Sequence, residues 1–330
     1  MRPLRSSLLS AVVATAALGA LAACSSGASG SSGTSAAADA ASGSAGTHVV
    51  QTAEGAVTVP SSPQRIVSIQ PSAFATLLDV GDAGKVVGTY DEGAGYVSPR
   101  YLSVYNKVTK VGNEGQLNLE EIATLKPDLI IGANYTWNTQ DYKELSAIAP
   151  TVIAPVTTWQ ATAQTIADAA GRGSQLDALE TQLSAGEAQI KTQYATELAA
   201  YKWDILQGGF DSGQYWIYGP GSDVGTILAA AGVRFASASA GTSGSANRSV
   251  SYERIDLLDD AGVIGYYSDY SSSAPTNDGP QLFAQDGFKA LSATKAKRLV
   301  AFPDFLPGGY GDALAVLAEL RTGLKSLAAS

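Results

Sequence analysis

Histidine and cysteine each occur once in these 330 residues, and those two scarcities remove most of the chemistry a chain of this size could carry. The one histidine is His48, which argues against a Ser-His-Asp triad and leaves no set of imidazoles for a catalytic zinc or manganese ion. The one cysteine is Cys24, so there is no disulfide framework. Basic residues are sparse too, with 21 Lys and Arg against 30 Asp and Glu and a formal net charge of −9. No Lys/Arg cluster could neutralise a run of phosphates, so nucleic acid is not an expected partner. Glycine-rich pieces such as "GPGSDVG" (219–225) match neither a phosphate loop nor a dinucleotide fingerprint. So many acids always offer a carboxylate pair, but no local pattern marks one as a glycosidase site. The expectation is a protein with no catalytic residues, no cofactor and no resident metal.

What is present begins with a processing signal. Residues 1–23 carry Arg2 and Arg5, an apolar stretch from Leu8 to Ala23, and small residues at the end. The stretch falls short of the ~20 residues a membrane-spanning helix needs, so it reads as a secretory signal. Its end, "LAAC" (21–24), resembles the lipobox of bacterial lipoproteins, and on that resemblance the chain is cut before Cys24 and acylated there. A plain signal peptide cut elsewhere is the alternative; it leaves unexplained why the only cysteine sits where an anchor would be. Residues 24–46 are mostly Ser, Gly and Ala and read as a flexible tether, since they cannot bury enough apolar surface to offset chain entropy. The long remainder favours two domains. Removing the signal removes two arginines, so the exported part is more acidic still.

That remainder alternates strand and helix patterns. "HVVQTAEGAVTVP" reads as a hairpin about Glu54-Gly55, and "QRIVSI" (64–69), "KVVGTY" (85–90), "DLIIG" (128–132) and "TVIAP" (151–155) read as strands with helices between them. This order implies a mainly parallel sheet in an N-terminal lobe, 47–171. "DILQGG" (204–209), "YWIYG" (215–219), "GVIGYY" (262–267) and "RLVAF" (298–302) repeat the plan in a C-terminal lobe, 201–330, closed by an amphipathic helix. Between them, 172–200 reads as one long helix of roughly 40 Å, capped by Ser174, with Leu176, Leu179, Leu183, Ile190, Tyr194 and Leu198 on one side. An internal repeat supports the two-lobe reading. "NLEEIATLKPDLIIG" (118–132) and "SYERIDLLDDAGVIG" (251–265) match in spacing, with Glu120 and Glu253 at the same place. An acid in the first turn of a helix is also what the helix dipole favours.

Ligands in parallel α/β sheets sit beyond the carboxyl ends of strands. Reading past those ends gives Tyr90, Asp91, Glu92, Asn134, Tyr135 and Trp137 in the first lobe, and Phe210, Asn247, Arg248, Tyr267, Tyr270, Phe305 and Tyr310 in the second. Fifteen tyrosines, many in such loops, suit a pocket for a bulky, partly apolar ligand; ordinary packing is the competing account for each. Arg248, in Ser- and Gly-rich surroundings, is the best polar candidate because a bidentate donor suits anionic oxygens.

The lipobox, the tether, "VPSSPQRIVSIQPSAFATLLDVGDAGKVVGTY", "NLEEIATLKPDLIIG" after "KVGNEG", the long helix, "YGPGSDVGTILAAAGV" and "SYERIDLL" together resemble the substrate-binding lipoproteins of ABC importers for ferric siderophores and cobalamin. The resemblance covers essentially everything after Thr47. It implies an α/β fold of two Rossmann-like lobes joined by a single long α-helix, the class III periplasmic-binding-protein fold. It also implies a ligand held in a shallow cleft and limited lobe closure. A glutamate on each lobe, here Glu120 and Glu253, would dock on arginines of the permease dimer that works with ATPase subunits. The protein would be a monomer held to the outer face of the cell membrane only by its lipid. Low lysine and high alanine point to a GC-rich Gram-positive source. In the cleft, Glu114 departs from the arginine of ferric-hydroxamate binders and from the tryptophan of cobalamin binders. An acidic cleft with Glu114, Asp91 and Asp304 favours a neutral or cationic ligand, so a ferric trihydroxamate is expected, with iron bound only inside its chelator. Cobalamin or haem binding, or a sensor lipoprotein without transport, are the alternatives.

Overall fold

The fold was obtained as a computed structural model that describes residues 46–113, 115–135, 141–242 and 246–329. Cys24, Glu114 and Trp137 lie outside the described residues. Two sheets divide the chain. The first holds five parallel strands in the order Thr109–Lys110, Val86–Thr89, Ile66–Ser68, Leu129–Ala133 and Thr151–Ala154. Leu129, Ile130, Ile131 and Ala133 are wholly buried, because helices cover both faces of a parallel sheet and its strands must be apolar on both sides. The hairpin Thr47–Thr52/Gly55–Pro60 stands apart as its own two-stranded sheet.

The second sheet is mixed, unlike the parallel repeat expected from the sequence. Lys202–Gly208 pairs in parallel with Val263–Tyr267, which pairs in parallel with Leu299–Phe302. Gln214–Tyr218 and Asn247–Ser251 then run antiparallel on the other side. The reason is connection length: residues 209–213 suffice for a hairpin, whereas a parallel crossover takes a dozen residues or more. The strand Asn247–Ser251 was not anticipated at all.

Class III architecture follows from a single long helix between the lobes. It spans Gly173–Gln193, breaks at Tyr194 (φ −115°, ψ 30°), and resumes as Ala195–Ala200. The straight part is therefore roughly 30 Å long at 1.5 Å per residue, shorter than expected. Arg172, not Ser174, stands at its N-cap. The Arg172 guanidinium donates to Asp82 Oδ1 at 2.9 and 2.5 Å, and Lys85 Nζ lies 3.1 Å from the same oxygen. That buried carboxylate fastens the helix start to the first lobe. Leu176, Leu183 and Ile190 form the buried stripe, and a Cβ on Gly186 would stand 3.0 Å from Leu317 of the last helix, Tyr310–Ala328.

The lobes also touch directly. Trp159 opens the helix Trp159–Ala169 of the first lobe, packs edge-on against Tyr310 (4.9 Å between centroids) and donates to Thr226 Oγ1 at 3.3 Å. The segment "LPGGYG" (306–311) lies flush on the helix Pro71–Asp79. Gly311 N–H donates to Asp79 Oδ2 (2.8 Å), and Tyr101 O–H donates to Asp79 Oδ1 (2.7 Å). A Cβ on Gly311 would meet Asp79 Oδ1 at 2.3 Å and the Tyr101 hydroxyl at 2.6 Å, so only glycine allows this approach. Gly311→Ala is expected to destabilise the protein by about 1–3 kcal/mol in urea unfolding. Gly221→Ala, where a Cβ meets nothing within 4 Å, is the control and stays within about 0.5 kcal/mol.

Candidate functional site

The carboxyl ends of the two sheets face a common cleft of about 730 Å³. Gln70 and Ser72 follow the strand Ile66–Ser68, Tyr90, Asp91 and Glu92 follow Val86–Thr89, and Tyr135 follows Leu129–Ala133. From the second lobe come Asp223, Tyr267 at the end of its strand, Tyr270, and the turn Pro303, Leu306 and Pro307. Tyr90, Tyr96, Tyr135, Tyr267 and Tyr270 give the walls their aromatic character.

Several wall residues are fixed by local devices. Gln70 caps the helix Pro71–Asp79, its side-chain oxygen accepting from Ser72 N–H (2.7 Å) and from the Ser72 hydroxyl. Asp91 Oδ1 accepts from the Tyr105 hydroxyl (2.6 Å) and Gly93 N–H (3.1 Å), and the Tyr105 bond above all holds its carboxyl below the usual range. Glu92 has the opposite environment: burial first, then the charges of Asp312 and Asp91, pushes its carboxyl up to about 8. Tyr267 lies flat on Phe305 (5.3 Å, 21° between planes), and Tyr270 O–H reaches Asp304 Oδ1 at 3.3 Å.

Beneath the cleft, one cation meets several carboxyls across the lobes. Arg100 of the first lobe donates to both oxygens of Asp304 (2.8 and 3.0 Å) and to Asp312 Oδ1. Glu319 Oε1 accepts from Asp304 N–H (3.3 Å), while Glu319 Oε2 is buried without a partner. Burial, then the Asp304 charge, raises the Asp312 carboxyl to about 7; burial and Asp304 likewise raise Glu319. No group of three or more His, Cys, Asp or Glu among the described residues could hold a metal ion.

The structure brings together Tyr90, Asp91, Glu92, Tyr135, Tyr267 and Tyr270 of the residues read from the sequence and, Glu114 and Trp137 lying outside the described residues, places the rest elsewhere. Phe305 and Tyr310 are buried at 0% and 3% exposure; Phe305 backs Tyr267 from below, and Tyr310 packs on Trp159 at the lobe junction. Arg248 is not in a Ser/Gly loop but on the edge strand opposite Ile217, and its guanidinium reaches the Ala238 carbonyl (3.4 Å) near Asp204. Asn247 lies on the same strand opposite Tyr218 and hydrogen-bonds its phenol. Phe210 is 75% exposed at the hairpin beside Trp216, and Asn134 is exposed one residue before Tyr135. Asp304 belongs to the Arg100 cluster, not to the cleft wall. Gln70, Ser72, Tyr96, Asn113, Asp223 and the Pro303–Pro307 turn were missed. Gln70 stood one step past a strand end and could have been found by the rule that found Tyr90.

Glu120 and Glu253 are both exposed. Asn118 caps the helix Leu119–Thr124 through Glu121 N–H (3.1 Å), and Ser251 caps the 3₁₀ segment Tyr252–Leu258 through Glu253 N–H (3.3 Å). Each glutamate therefore sits in the first turn of a capped segment, one on each lobe.

Two α/β lobes, a lone connecting helix and a tyrosine-lined cleft define a solute-binding protein of the class III type. A model of the family described as "Periplasmic binding protein" matches residues 66–305, and the chain belongs to that family. YhfQ of Bacillus subtilis, assigned as an ABC transporter substrate-binding lipoprotein, is 28% identical over 198 residues, covering 58% of this chain and 60% of the relative. YfiY of the same organism, assigned as a siderophore-binding lipoprotein, is 41% identical over 110 residues, 33% of each chain. A cobalamin-binding protein of Halobacterium salinarum is 36% identical over 86 residues, 26% of this chain and 22% of that one. The chain thus matches less than two thirds of the length of each of these relatives. The siderophore periplasmic binding protein from the fuscachelin gene cluster of Thermobifida fusca superposes with a TM-score of 0.71 at 25% identity, over 81% of this chain and 98% of that one. No helix among the described residues is long and apolar enough to cross a membrane.

The carboxyls fix a pH dependence. Asp312, Glu92 and Glu319 are raised, so the folded state keeps protons that the unfolded chain has lost. Their stabilisation is complete below the ordinary carboxylate range and is lost as pH rises through about 7 to 9. Asp91 is held low and acts oppositely, its contribution disappearing in acid. Thermal melting is expected to peak in mildly acidic buffer, near pH 4–6, and to fall toward pH 9. Glu319→Gln, which keeps that site neutral, melts above the wild type at pH 9 but not at pH 5.

Proposed function

We propose that this protein is the extracytoplasmic solute-binding component of an ABC importer and that its cargo is a ferric siderophore of the hydroxamate type. The observation that carries the reading is the chemistry of the cleft. Its walls are tyrosines with Asp91, Glu92 and Asp223, and no Lys or Arg is among its described lining residues. Three hydroxamates cancel the charge of Fe³⁺, whereas three catecholates leave a triple negative charge that this cleft has no cation to meet. Tyrosine faces cover the bulky chelate and their hydroxyls reach its oxygens. Family membership and the siderophore-binding assignments among the relatives and solved structures support the class of cargo.

Delivery follows from the two exposed glutamates. In this reading Glu120 and Glu253 dock a monomeric protein on the two halves of a permease, and acylated Cys24 holds it at the outer membrane face on its tether. Like charges on two like lobes suit a partner with two-fold symmetry and set register and encounter rate more than affinity.

The test is a tryptophan-fluorescence titration of the protein from Thr47 onward with ferrioxamine B, ferrioxamine E, a ferric catecholate, haem and cobalamin, with iron-free chelators as controls. Saturable quenching by a ferric trihydroxamate, with a far weaker iron-free response, is expected. A response to the catecholate, haem or cobalamin alone would overturn the hydroxamate reading. Tyr267→Ala is expected to weaken ferric-hydroxamate binding by about 5–30-fold in the same titration. Glu120→Arg with Glu253→Arg should leave that affinity intact and abolish iron-siderophore uptake by cells.

A further inference from the structure

We propose that Glu92 is a receptor for a protonated amine carried by the ferric complex, so that this protein selects a cationic siderophore over its neutral counterpart. The inference rests on the ferric-hydroxamate reading above and goes beyond it by naming the charged appendage and the residue that reads it. Four observations converge.

The first is position. Glu92 lines the cleft from the first lobe and is half-buried, next to Asp91 on the chain, and its charge acts on the Tyr267 hydroxyl of the other wall. The second is that its neighbours are already engaged while Glu92 is not. Asp91 accepts from Tyr105 and Gly93, and Lys110, whose charge acts on Asp91, is held over the Tyr105 ring (3.8 Å) and by the Tyr105 and Val108 carbonyls. Asp312 and Asp304 are bound to Arg100. The third is the charge around it: Asp91 and Asp312 face Glu92 as anions or potential anions, Tyr105 and Tyr267 as neutral phenols, and Arg100 is spent on its own carboxyls. The site therefore lacks one positive charge. The fourth is the aromatic wall: Tyr90, Tyr96, Tyr267 and Tyr270 offer ring faces that suit an ammonium group.

An ammonium supplied by the ligand changes the state of Glu92. In the empty cleft its carboxyl holds a proton up to about pH 8. When the cation arrives, the O–H bond of Glu92 breaks, the proton leaves to solvent, and the carboxylate accepts N–H bonds from the ammonium. Binding of the cationic complex thus releases a proton below that pH, and its affinity rises with pH toward about tenfold per unit before levelling off. A neutral complex at the same site releases none.

The experiment compares ferrioxamine B, whose linear chain ends in a primary ammonium, with ferric N-acetyl-desferrioxamine B, which keeps the same iron coordination without the charge. Isothermal titration of the wild-type protein from Thr47 onward is run at pH 6, 7 and 8.5, and at pH 7 in two buffers of different ionisation enthalpy. The expected result is a preference for the cationic complex of about tenfold or more at pH 8.5 that shrinks toward pH 6. Up to about one proton is released at pH 7 by the cationic complex and none by the acetylated one. Glu92→Gln, which keeps shape and neutrality, brings the ratio of the two affinities toward one at every pH. Equal affinities of the two complexes in the wild type, with no proton release, overturn the amine receptor and leave the hydroxamate reading standing. Binding of neither trihydroxamate, with saturable binding of a ferric catecholate or cobalamin, overturns both.

Discussion

One guanidinium carries the junction between the two lobes. Arg100 reaches from the first lobe into Asp304 and Asp312 of the second, while Tyr270 and Glu319 approach Asp304 from other sides. A single cation cannot neutralise that many buried carboxyls, so burial leaves protons on some of them, Asp312 and Glu319 foremost. The consequence is architectural. Asp304 opens the loop that carries Leu306, Pro307 and Gly308, and Asp312 stands in the first turn of the last helix. Holding both aspartates fixes that loop over the first lobe, where Gly308 N–H donates to Asp312 Oδ2 and the Thr76 hydroxyl reaches the Gly308 carbonyl. The same loop forms one side of the cleft. The width of the binding site is therefore set by an ion cluster that the ligand itself need not touch.

This geometry also explains why only part of the site was legible in the sequence. Local rules worked where the signal is local. The strand ends that yielded Tyr90, Asp91, Tyr135 and Tyr267 are marked by apolar runs and short polar breaks, and a side chain just past such an end has few places to go. The hairpin about Glu54-Gly55 is equally local. Arg248 failed because a Ser/Gly-rich stretch reads as loop, yet the hydrogen bonds of the Gln214–Tyr218 edge recruited it as a strand. Phe305 and Tyr310 failed for a related reason: past the end of the last strand the chain turns down into the lobe junction, and their burial is decided by Tyr218, Tyr267 and Trp159, residues remote in sequence. Arg100 itself has no local signature. Its role exists only because Asp304 and Asp312, more than two hundred positions later, come to meet it.

The connecting helix shows the same division. Its apolar spacing announced it, but the break at Tyr194 and the cap at Arg172 in place of Ser174 did not show in that spacing. Arg172 begins the helix because Asp82, fully buried in the first lobe, needs its charge matched. Gly186, which looks like a weak point in a helix, is instead where Leu317 of the last helix packs, 3.0 Å from where a Cβ would stand. A helix tied at one end by a buried ion pair and along its length by packing resists bending. The direct contacts at Trp159, Asp79 and Arg100 resist separation of the lobes. Together these constraints favour small rocking over wide closure.

A nearly fixed cleft changes how selectivity must be obtained. A protein that closes like a clamp can spend binding energy on rearranging around different ligands, whereas a rigid cleft discriminates by what its walls already present. Here the walls present aromatic faces, one carboxylate held low in Asp91, and two carboxyls, Glu92 and Asp223, that burial raises. On the proposed reading the aromatic faces grip any bulky chelate of suitable size and carry little information about charge. The charge information resides in the carboxyls, and on the proposed reading Glu92 holds most of it, because below about pH 8 its proton leaves only when something else supplies a positive charge. The ion cluster below supplies none, since Arg100 is already shared between Asp304 and Asp312. The junction that shapes the cleft therefore also bears on its electrostatic demand: it binds Arg100 to Asp304 and Asp312 and, on the proposed reading, leaves the ligand to bring the cation.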